Sequence, residues 1–297
     1  MRALVTGGMG FIGSHLCEQL LQAGYNVLCL DNLLSGKLAN VAHLKSYPEF
    51  QSVIDDITNP ELNLTGIDVI FNLAASKKNI CLSNPQKDLQ INGGGTLNLL
   101  QLAVKYHVKK FVHASTGSVY GNVKPQVEDG KTNPVSYYGI SKLAGENYVK
   151  LFAEKLDIAI LRYFHVYGTR QEDADGLGGV IPIFLRRIHQ NAPLFVYGDG
   201  SQSRCFTYVK DVVKANLAML DNKTDNRIFN CVSDVYITLN ELIEKLFVLT
   251  GKTVPINYRD WQIGDIKDFK PDNTRIKELI EFTPFETGLQ ETLHGYI

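Results

Sequence analysis

The stretch Val5-Thr6-Gly7-Gly8-Met9-Gly10-Phe11-Ile12-Gly13 constrains this chain more than any other. It follows a short apolar run, Ala3-Leu4-Val5, that reads as a buried strand. It leads into a helical pattern with Ile12, Leu16 and Leu20 on one face. Strand, glycine-rich turn and helix, in that order, form the setting that a dinucleotide fingerprint requires. Gly7 permits a tight turn, and Gly10 lets a pyrophosphate approach the free N–H groups of the helix N-terminus. Gly13 lets the helix lie close on the strand. The spacing is G-x-x-G-x-x-G. A glycine-rich turn alone is ordinary loop punctuation, so the cofactor reading draws its weight from the residues that follow.

Length and charge narrow the classes. The 297 residues, 44% of them hydrophobic, suffice for one large domain or two intimately joined ones. A net charge of -1 with no basic tract points away from nucleic acid and anionic membranes. Cys17, Cys29, Cys81, Cys205 and Cys231 are scattered without a C-x-x-C pair. That fits reduced thiols in a cytoplasmic protein, with neither a disulfide framework nor a metal site. Residue 1 stands at the start of the first strand, so no signal peptide is expected. No apolar run is long enough to span a bilayer.

Val27-Leu28-Cys29-Leu30 reads as a second strand that delivers Asp31 to its end, 18 residues past Gly13. A carboxylate there accepts hydrogen bonds from both ribose hydroxyls of a dinucleotide and repels a 2′-phosphate. No Arg is nearby to favour that phosphate, so NAD is expected over NADP. The competing reading is that Asp31 only opens a turn. Further strands are expected at Ser52-Val53-Ile54, which ends in Asp55-Asp56-Ile57, and at residues 69–75, which include Leu73, Ala74 and Ala75. The nearly continuous apolar character of residues 69–75 fits a parallel sheet covered on both faces, and hence a doubly wound α/β domain. Lys77 and Lys78 follow at the ligand-binding end of such a sheet, or else are two solvated lysines. A helix over residues 85–104 is interrupted by Gly93-Gly94-Gly95. That run means close approach to a backbone or cofactor, or a local break.

A fifth strand, Lys110-Phe111-Val112-His113-Ala114, leads into Ser115-Thr116-Gly117-Ser118-Val119-Tyr120-Gly121. Hydroxyls past a strand end are candidates for bonding a substrate oxygen, although most Ser/Thr turns are only turns. Tyr138 and Lys142 then stand four apart on a helix running to about residue 156, and so share a face. Free tyrosine has a pKa of about 10. Bringing it near 7 needs roughly 4 kcal/mol of selective stabilisation of the phenolate. A neighbouring ammonium and a positive nicotinamide ring in a dry site supply that.

Thr6 to Gly13, Asp31, the Ala-Ser-Thr-x-x-Val-Tyr-Gly turn and Tyr-x-x-x-Lys, in this order, resemble the extended short-chain dehydrogenase/reductase family. More narrowly, they resemble its NAD-dependent nucleotide-sugar epimerases and dehydratases. The resemblance covers nearly the whole chain. It implies a doubly wound parallel Rossmann sheet over residues 1–168 with a smaller, discontinuous substrate domain over 169–297, part of which returns to the sheet. It implies that Gly7, Gly10, Phe11, Ile12, Gly13, Asp31, Asn32, Asp56, Ile57, Leu73, Ala74, Ala75, Lys77, Tyr138, Lys142 and Tyr163 meet NAD. Thr116, Tyr138 and Lys142 fall on the catalytic positions, and Asn92 on a position lining the site. A cytoplasmic homodimer formed through the helices near residues 86–105 and 138–155 is implied as well.

For the substrate, the resemblance implies contacts from Lys77, Thr116, Tyr138, His165 and Arg204. Asn is usual where His165 stands, and a histidine there has a pH-dependent charge. Arg204 matches an arginine that grips the diphosphate, a task suited to a guanidinium fork; on spacing alone it is also an ordinary surface arginine. A second phosphate-binding arginine is common where Gln262 stands, and Arg259 or Lys267 are its substitutes. Phe269 falls where members vary residue size around the sugar. Residues 194–197 and 204–208, joined through Gly198-Asp199-Gly200, read as a hairpin.

The shared chemistry implied is oxidation at the fourth sugar carbon with Tyr138 as base. From the ketone the branches diverge. Dehydratases of the family carry an Asp-Glu pair where Gly117 and Ser118 stand, and decarboxylases usually carry an acid at Ser118. Neither residue here has a carboxyl group for acid–base work. Epimerisation of a nucleotide sugar, foremost a UDP-hexose at carbon 4, is therefore expected, with 4,6-dehydration or decarboxylation as the alternative. A non-catalytic NAD-binding regulator is a further alternative.

Overall fold

The computed structural model describes residues 1–76, 78–174, 178–221, 227–261 and 270–295. In chain order the first strands are β1 (Arg2–Thr6), β2 (Asn26–Asp31), β3 (Phe50–Ile54), β4 (Val69–Asn72), β5 (Lys110–Thr116) and β6 (Asp157–Tyr163). Shorter strands follow: β7 (Val166–Tyr167), β8 (Leu194–Tyr197), β9 (Ser203–Cys205), β10 (Thr207–Tyr208), β11 (Arg227–Cys231), β12 (Tyr236–Thr238) and β13 (Ile256–Arg259). The helices are α1 (Phe11–Gln22), α2 (Lys78–Ser83), α3 (Pro85–Leu89), α4 (Thr96–Lys105), α5 (Tyr137–Leu151), α6 (Val180–His189), α7 (Val209–Ala218), α8 (Leu239–Thr250), α9 (Thr274–Lys277) and α10 (Phe285–His294).

Seven strands form one parallel sheet in the order β11-β6-β5-β4-β1-β2-β3. Alternate residues of the inner strands feed opposite cores, which is why those strands read as unbroken apolar runs, whereas β3 at the edge is exposed beyond Phe50. Ala3, Val5, Val112 and Leu161 pack with α1 and α7 through Leu16, Leu20 and Val212. Leu4, Phe111, Ile158 and Ile160 pack on the other face with Leu99, Leu100 and Val149. A third core of Ile181, Leu185, Leu242, Leu246, Phe285 and Leu289 joins α6, α8 and α10. The chain returns to the large sheet at β11, whose Phe229 lies in the same core as Val212 and Ile276.

Several elements differ from the sequence expectation. Residues 194–208 do not form a hairpin. Gly198 and Gly200 turn the chain with positive φ, but β8 pairs with β13, β9 with β12 and β10 with β7. The Gln202 side chain bonds the Tyr197 carbonyl at 2.7 Å, and the Leu239 amide bonds the Gln202 carbonyl, so the strands diverge to separate partners. β4 stops at Asn72, and Leu73 to Ala75 leave the sheet to line a cleft. α5 ends at Leu151, with turns over 152–156. The three glycines neither break the helix nor leave it regular: Gln90–Gly95 is a π-helical segment between α3 and α4. A Cβ on Gly95 would stand 2.5 Å from Ile57, and one on Gly145 would stand 2.9 Å from the Asn92 carbonyl. Within the run, close packing on the 57 loop explains Gly95; a Cβ on Gly93 would stand 3.3 Å from Leu89, and Gly94 meets nothing within 4 Å. The five cysteines are buried, and none is in a disulfide. Among the described residues no helix is long and apolar enough to cross a membrane, and no cluster of His, Cys, Asp or Glu could hold a metal.

Candidate active site

The glycine loop is built by contact. Gly7 has φ +65°, and a Cβ there would lie 2.9 Å from the Ala74 nitrogen. The Gly10 amide bonds the Gly7 carbonyl at 3.0 Å. A Cβ on Gly13 would lie 2.2 Å from that same carbonyl oxygen, so no other residue fits. The first α-helical bond of α1 runs from Ser14 to Gly10, and no side chain caps the helix. The amides of Phe11, Ile12 and Gly13 therefore have no acceptor within the helix and present positive charge. Gly7 and Gly10 open onto a cleft of about 570 Å³. Asp31, Asn32, Asp56 and Ile57 line it on one side, and Leu73, Ala74 and Ala75 on the other. Phe11 faces an adjoining cavity with Lys37 and Arg170. Ile12 packs between the cores.

Asp31 fixes a turn and lines the cleft. Its carboxylate accepts from the Met9 amide at 3.0 Å and the Leu33 amide at 2.8 Å. Burial pushes its pKa up against those two bonds. Asn32 donates to Asp56 at 2.6 Å. Burial works against the Asp56 charge, yet bonds from Thr58 and Asn32 hold its carboxyl below the usual range.

β5 and α5 bring the next group together. Thr116 ends β5 in register with Tyr163 of β6. The Thr116 hydroxyl accepts from the Ser118 amide at 3.2 Å, capping a short 3₁₀ turn, Gly117–Val119. A Cβ on Gly117 would stand 2.2 Å from the Phe164 ring. Ser136 caps α5 by accepting from the Gly139 amide at 3.1 Å, which places Tyr138 in the first turn and Lys142 one turn on. Lys142 is buried, and Nζ donates to the Ala114 carbonyl at 2.6 Å. Burial pulls its pKa down to about 8, against the opposing charges of Glu146 and Asp88. Burial pushes Tyr138 up to about 12, with Asp88 and Cys81 adding to the effect. Without a cofactor the surroundings of Tyr138 thus favour its protonated form. Tyr163 points its hydroxyl to Asn216 of α7, and burial raises its pKa.

His165 and Arg204 come together from distant parts of the chain. His165 follows β6 with φ +36° and sets its ring edgewise to Phe206. Burial, with the Arg204 charge beside it, pulls its pKa down to about 3, so the ring is neutral at pH 7. Arg204 lies in β9 and donates to the Ser203 carbonyl at 2.8 Å. Lys77, Gln262, Lys267 and Phe269 lie outside the described residues.

Sequence reasoning missed a buried network behind these groups. Arg162 of β6 makes a two-pronged pair with Glu146 of α5, at 2.9 and 2.8 Å, both side chains buried. Ser115, next to Thr116, donates to the same carboxylate. A signal was present: a charged residue in the apolar run Ile160-Leu161-Arg162 demands a buried partner, and Glu146 stands one turn past Lys142. Asp88 was missed as well; it accepts from Ser76 and Asn92 behind the cleft.

Residues 3–231 match the NAD dependent epimerase/dehydratase family. A putative UDP-glucose 4-epimerase of Methanocaldococcus jannaschii is 41% identical over 251 residues, 81% of this chain and 80% of that protein. A UDP-N-acetyl-alpha-D-glucosaminuronate decarboxylase of Bacillus cytotoxicus is 36% identical, covering 99% of this chain and 97% of its own. Among solved structures, the UDP-glucuronic acid 4-epimerase of Bacillus cereus, in complex with UDP-glucuronic acid and NAD, matches with a TM-score of 0.90 at 31% identity, over 99% of this chain and 98% of that one. On sequence and on structure alike, the chain belongs to the NAD dependent epimerase/dehydratase family.

Proposed function

We propose that this protein epimerises a nucleotide sugar at carbon 4, foremost a UDP-hexose, through a transient 4-keto sugar. The observation that carries the reading is the β5 terminus: Thr116 stands beside the Tyr138–Lys142 helix, and Gly117 and Ser118 follow it with no carboxyl group. NAD is the cofactor, and the cleft fits it. The uncapped amides of Phe11 and Ile12 suit a pyrophosphate, and the buried carboxylate of Asp31 suits the adenosine ribose hydroxyls. Asn32, Asp56, Ile57 and the Leu73–Ala75 wall enclose the adenine side. When bound, NAD supplies a reversible two-electron acceptor and a positive ring near Tyr138.

Tyr138 takes the proton of the C4 hydroxyl as that carbon is oxidised and returns it when the carbon is reduced. Thr116 bonds the same oxygen and orients it. Lys142 lends positive charge to the tyrosine and bonds the nicotinamide ribose. Arg204 holds the diphosphate by charge, with the neutral imidazole of His165 packed beside it. Without an acid at 117 or 118, water loss from C6 and decarboxylation lack a general acid of their own.

The similarity to a decarboxylase over nearly its full length favours one second reading, loss of CO2 from a 6-carboxy sugar after the same oxidation. Incubation with NAD and UDP-, dTDP-, GDP- and CDP-hexoses and UDP-uronates, followed by NMR of the sugar protons, separates the two. Inversion at C4 with no net NADH supports epimerisation. A pentose product, or a 4-keto-6-deoxy sugar, overturns it. NAD binding with no turnover of any sugar favours a regulator.

A further inference from the structure

Residues 115–120 carry Thr116 out of β5, and one buried guanidinium holds this segment at both ends. Ser115 and Arg162 are partners in the register of β5 and β6, so their side chains leave the sheet on the same face. Glu146 of α5 meets them there. The Ser115 hydroxyl donates to Glu146 Oε1. Arg162 Nε and Nη2 donate to Glu146 Oε1 and Oε2 at 2.9 and 2.8 Å. At the far end, Arg162 Nη1 donates to the Tyr120 hydroxyl oxygen at 2.7 Å and to the Glu128 carbonyl at 3.1 Å. The same guanidinium lies 4.7 Å from the centre of the Tyr120 ring. Tyr120 in turn donates to Asn230 of β11 at 2.8 Å. Between these ends the 3₁₀ turn closes on itself. The Tyr120 amide bonds the Gly117 carbonyl at 3.1 Å, and the Ser118 amide bonds the Thr116 hydroxyl oxygen at 3.2 Å.

Stability alone is a poor reason for this arrangement. Apolar side chains of similar volume would fill the space without taking two charges out of water. They could not supply fixed directions. A guanidinium is planar and donates from separate edges, so it holds a carboxylate and a phenol at set places on either side of itself. Thr116 sits on the short segment between the two. The helix that supplies the carboxylate also carries Tyr138 and Lys142, each four residues from the next, and Lys142 Nζ bonds the Ala114 carbonyl. We propose that Arg162 is a positioning residue for Thr116. Through Glu146 on one side and Tyr120 on the other, its fork sets where the Thr116 hydroxyl stands relative to Tyr138. The proposal rests on the reading of Thr116 as the group that bonds the C4 oxygen.

A role in neutralising Glu146 and a role in placing Thr116 call for different chemistry. Arg162→Lys keeps the positive charge but is a single point donor, and it cannot bond the carboxylate and the phenol on two sides at once. Tyr120→Phe and Ser115→Ala each remove one hydroxyl from the clamp and leave the Arg162–Glu146 charges paired. If charge alone mattered, all three variants would leave Thr116 where it is. If the fork places Thr116, each moves it.

The test is NMR of protein labelled with 13C at the threonine methyl groups, without substrate. The Thr116 resonance is identified by its loss in Thr116→Ser, and buried Thr292 of α10 serves as the internal reference. In Arg162→Lys, Tyr120→Phe and Ser115→Ala the Thr116 methyl should shift or broaden while that of Thr292 stays. Tyr120→Phe and Ser115→Ala keep the test open should the lysine variant fail to fold. An unmoved Thr116 resonance in these two variants overturns the proposal, whatever reaction the enzyme performs. With the nucleotide sugar that wild type converts, the variants should lower kcat about 10- to 100-fold with KM unchanged, since a misplaced group is felt in the transition state and not in binding. A moved resonance with unchanged kcat upholds the clamp and overturns the role given to Thr116 in the reaction.

Discussion

Lys142 Nζ bonds the carbonyl of Ala114, two residues before Thr116, and so pins α5 to the end of β5. That bond holds the lysine in a dry place, and the burial lowers its pKa. The lysine titrates at about 8 in the folded protein against 10.5 in the unfolded chain. Below pH 8 it is charged in both states, and the cost of burying the charge is fully present. Between pH 8 and 10.5 the unfolded chain binds more protons, so stability rises with pH by up to about 3 kcal/mol from this group. Lys142→Met removes the effect. Urea denaturation at pH 7.5 and pH 10 should show wild type gaining on the variant, whose turnover at neutral pH falls on the order of 100-fold or more. A constant stability difference across this window would count against the assignment.

The Arg162–Glu146 pair carries a different kind of cost. Both side chains are buried, and each supplies what the other lacks. Removing one partner leaves an uncompensated charge in the core, worth about 3–5 kcal/mol. Glu146→Gln and Arg162→Met should each lose that much in chemical denaturation. Glu146→Leu with Arg162→Met should lose clearly less than the sum of the single changes. Additive losses would mean the pair is not coupled.

Glycines of the two runs should answer oppositely. Gly13→Ala places a methyl group 2.2 Å from the Gly7 carbonyl. The loop has to open, with a loss of roughly 1–3 kcal/mol of stability and of NAD affinity. Gly94→Ala meets nothing within 4 Å on an exposed helical surface and should gain up to about 1 kcal/mol. Thermal melts and calorimetric NAD titration of both variants check the contrast.

These contrasts mark what the sequence could reveal. Periodicity located the parallel sheet because its inner strands bury both faces, and spacing located the tight turn at Gly7, Gly10 and Gly13 because its glycines are demanded by local contacts. The separate partners of β8, β9 and β10 were not legible, since two turn glycines predict a reversal but not which strand lies alongside. Asp88 and the Glu146–Arg162 pair were harder to read, because Ser76, Arg162 and Ser115 stand 12, 16 and 31 residues from the carboxylates they bond, and only the fold brings them together. His165 and Arg204 were named separately, and only the fold sets them side by side with a neutral imidazole.

Asp31 bears on cofactor choice. Its carboxylate is almost wholly buried and bound to two backbone amides, so it cannot swing away from an incoming group. A 2′-phosphate would be forced beside this fixed charge, and like charges in such a position cost several kcal/mol. NAD should bind at least about 100-fold tighter than NADP in calorimetric titration. Equal affinities would remove Asp31 from the adenosine ribose.

The helix face beyond the site bears on assembly. Tyr137, Ile140, Ala144 and Leu151 recur along one stripe of α5, and Tyr137, Ile140 and Leu151 are more than half exposed. Leu89 on α3, which packs beside α5, is exposed as well. The a/d-like spacing 137, 140, 144, 151 is that of a helix that pairs with another helix, and an apolar stripe left in water is more often a contact surface than a coincidence. A dimer built on this face would give a four-helix arrangement with α5 and the α3–α4 pair from each copy. Light scattering on wild type should then report twice the 33.1 kDa of one chain. Ile140→Glu puts a charge in the centre of the stripe and should halve that mass while NAD binding persists, because the side chain points away from the cleft-facing positions Tyr138 and Lys142. A monomeric wild type at micromolar concentration, or a dimer untouched by Ile140→Glu, would move assembly to another surface.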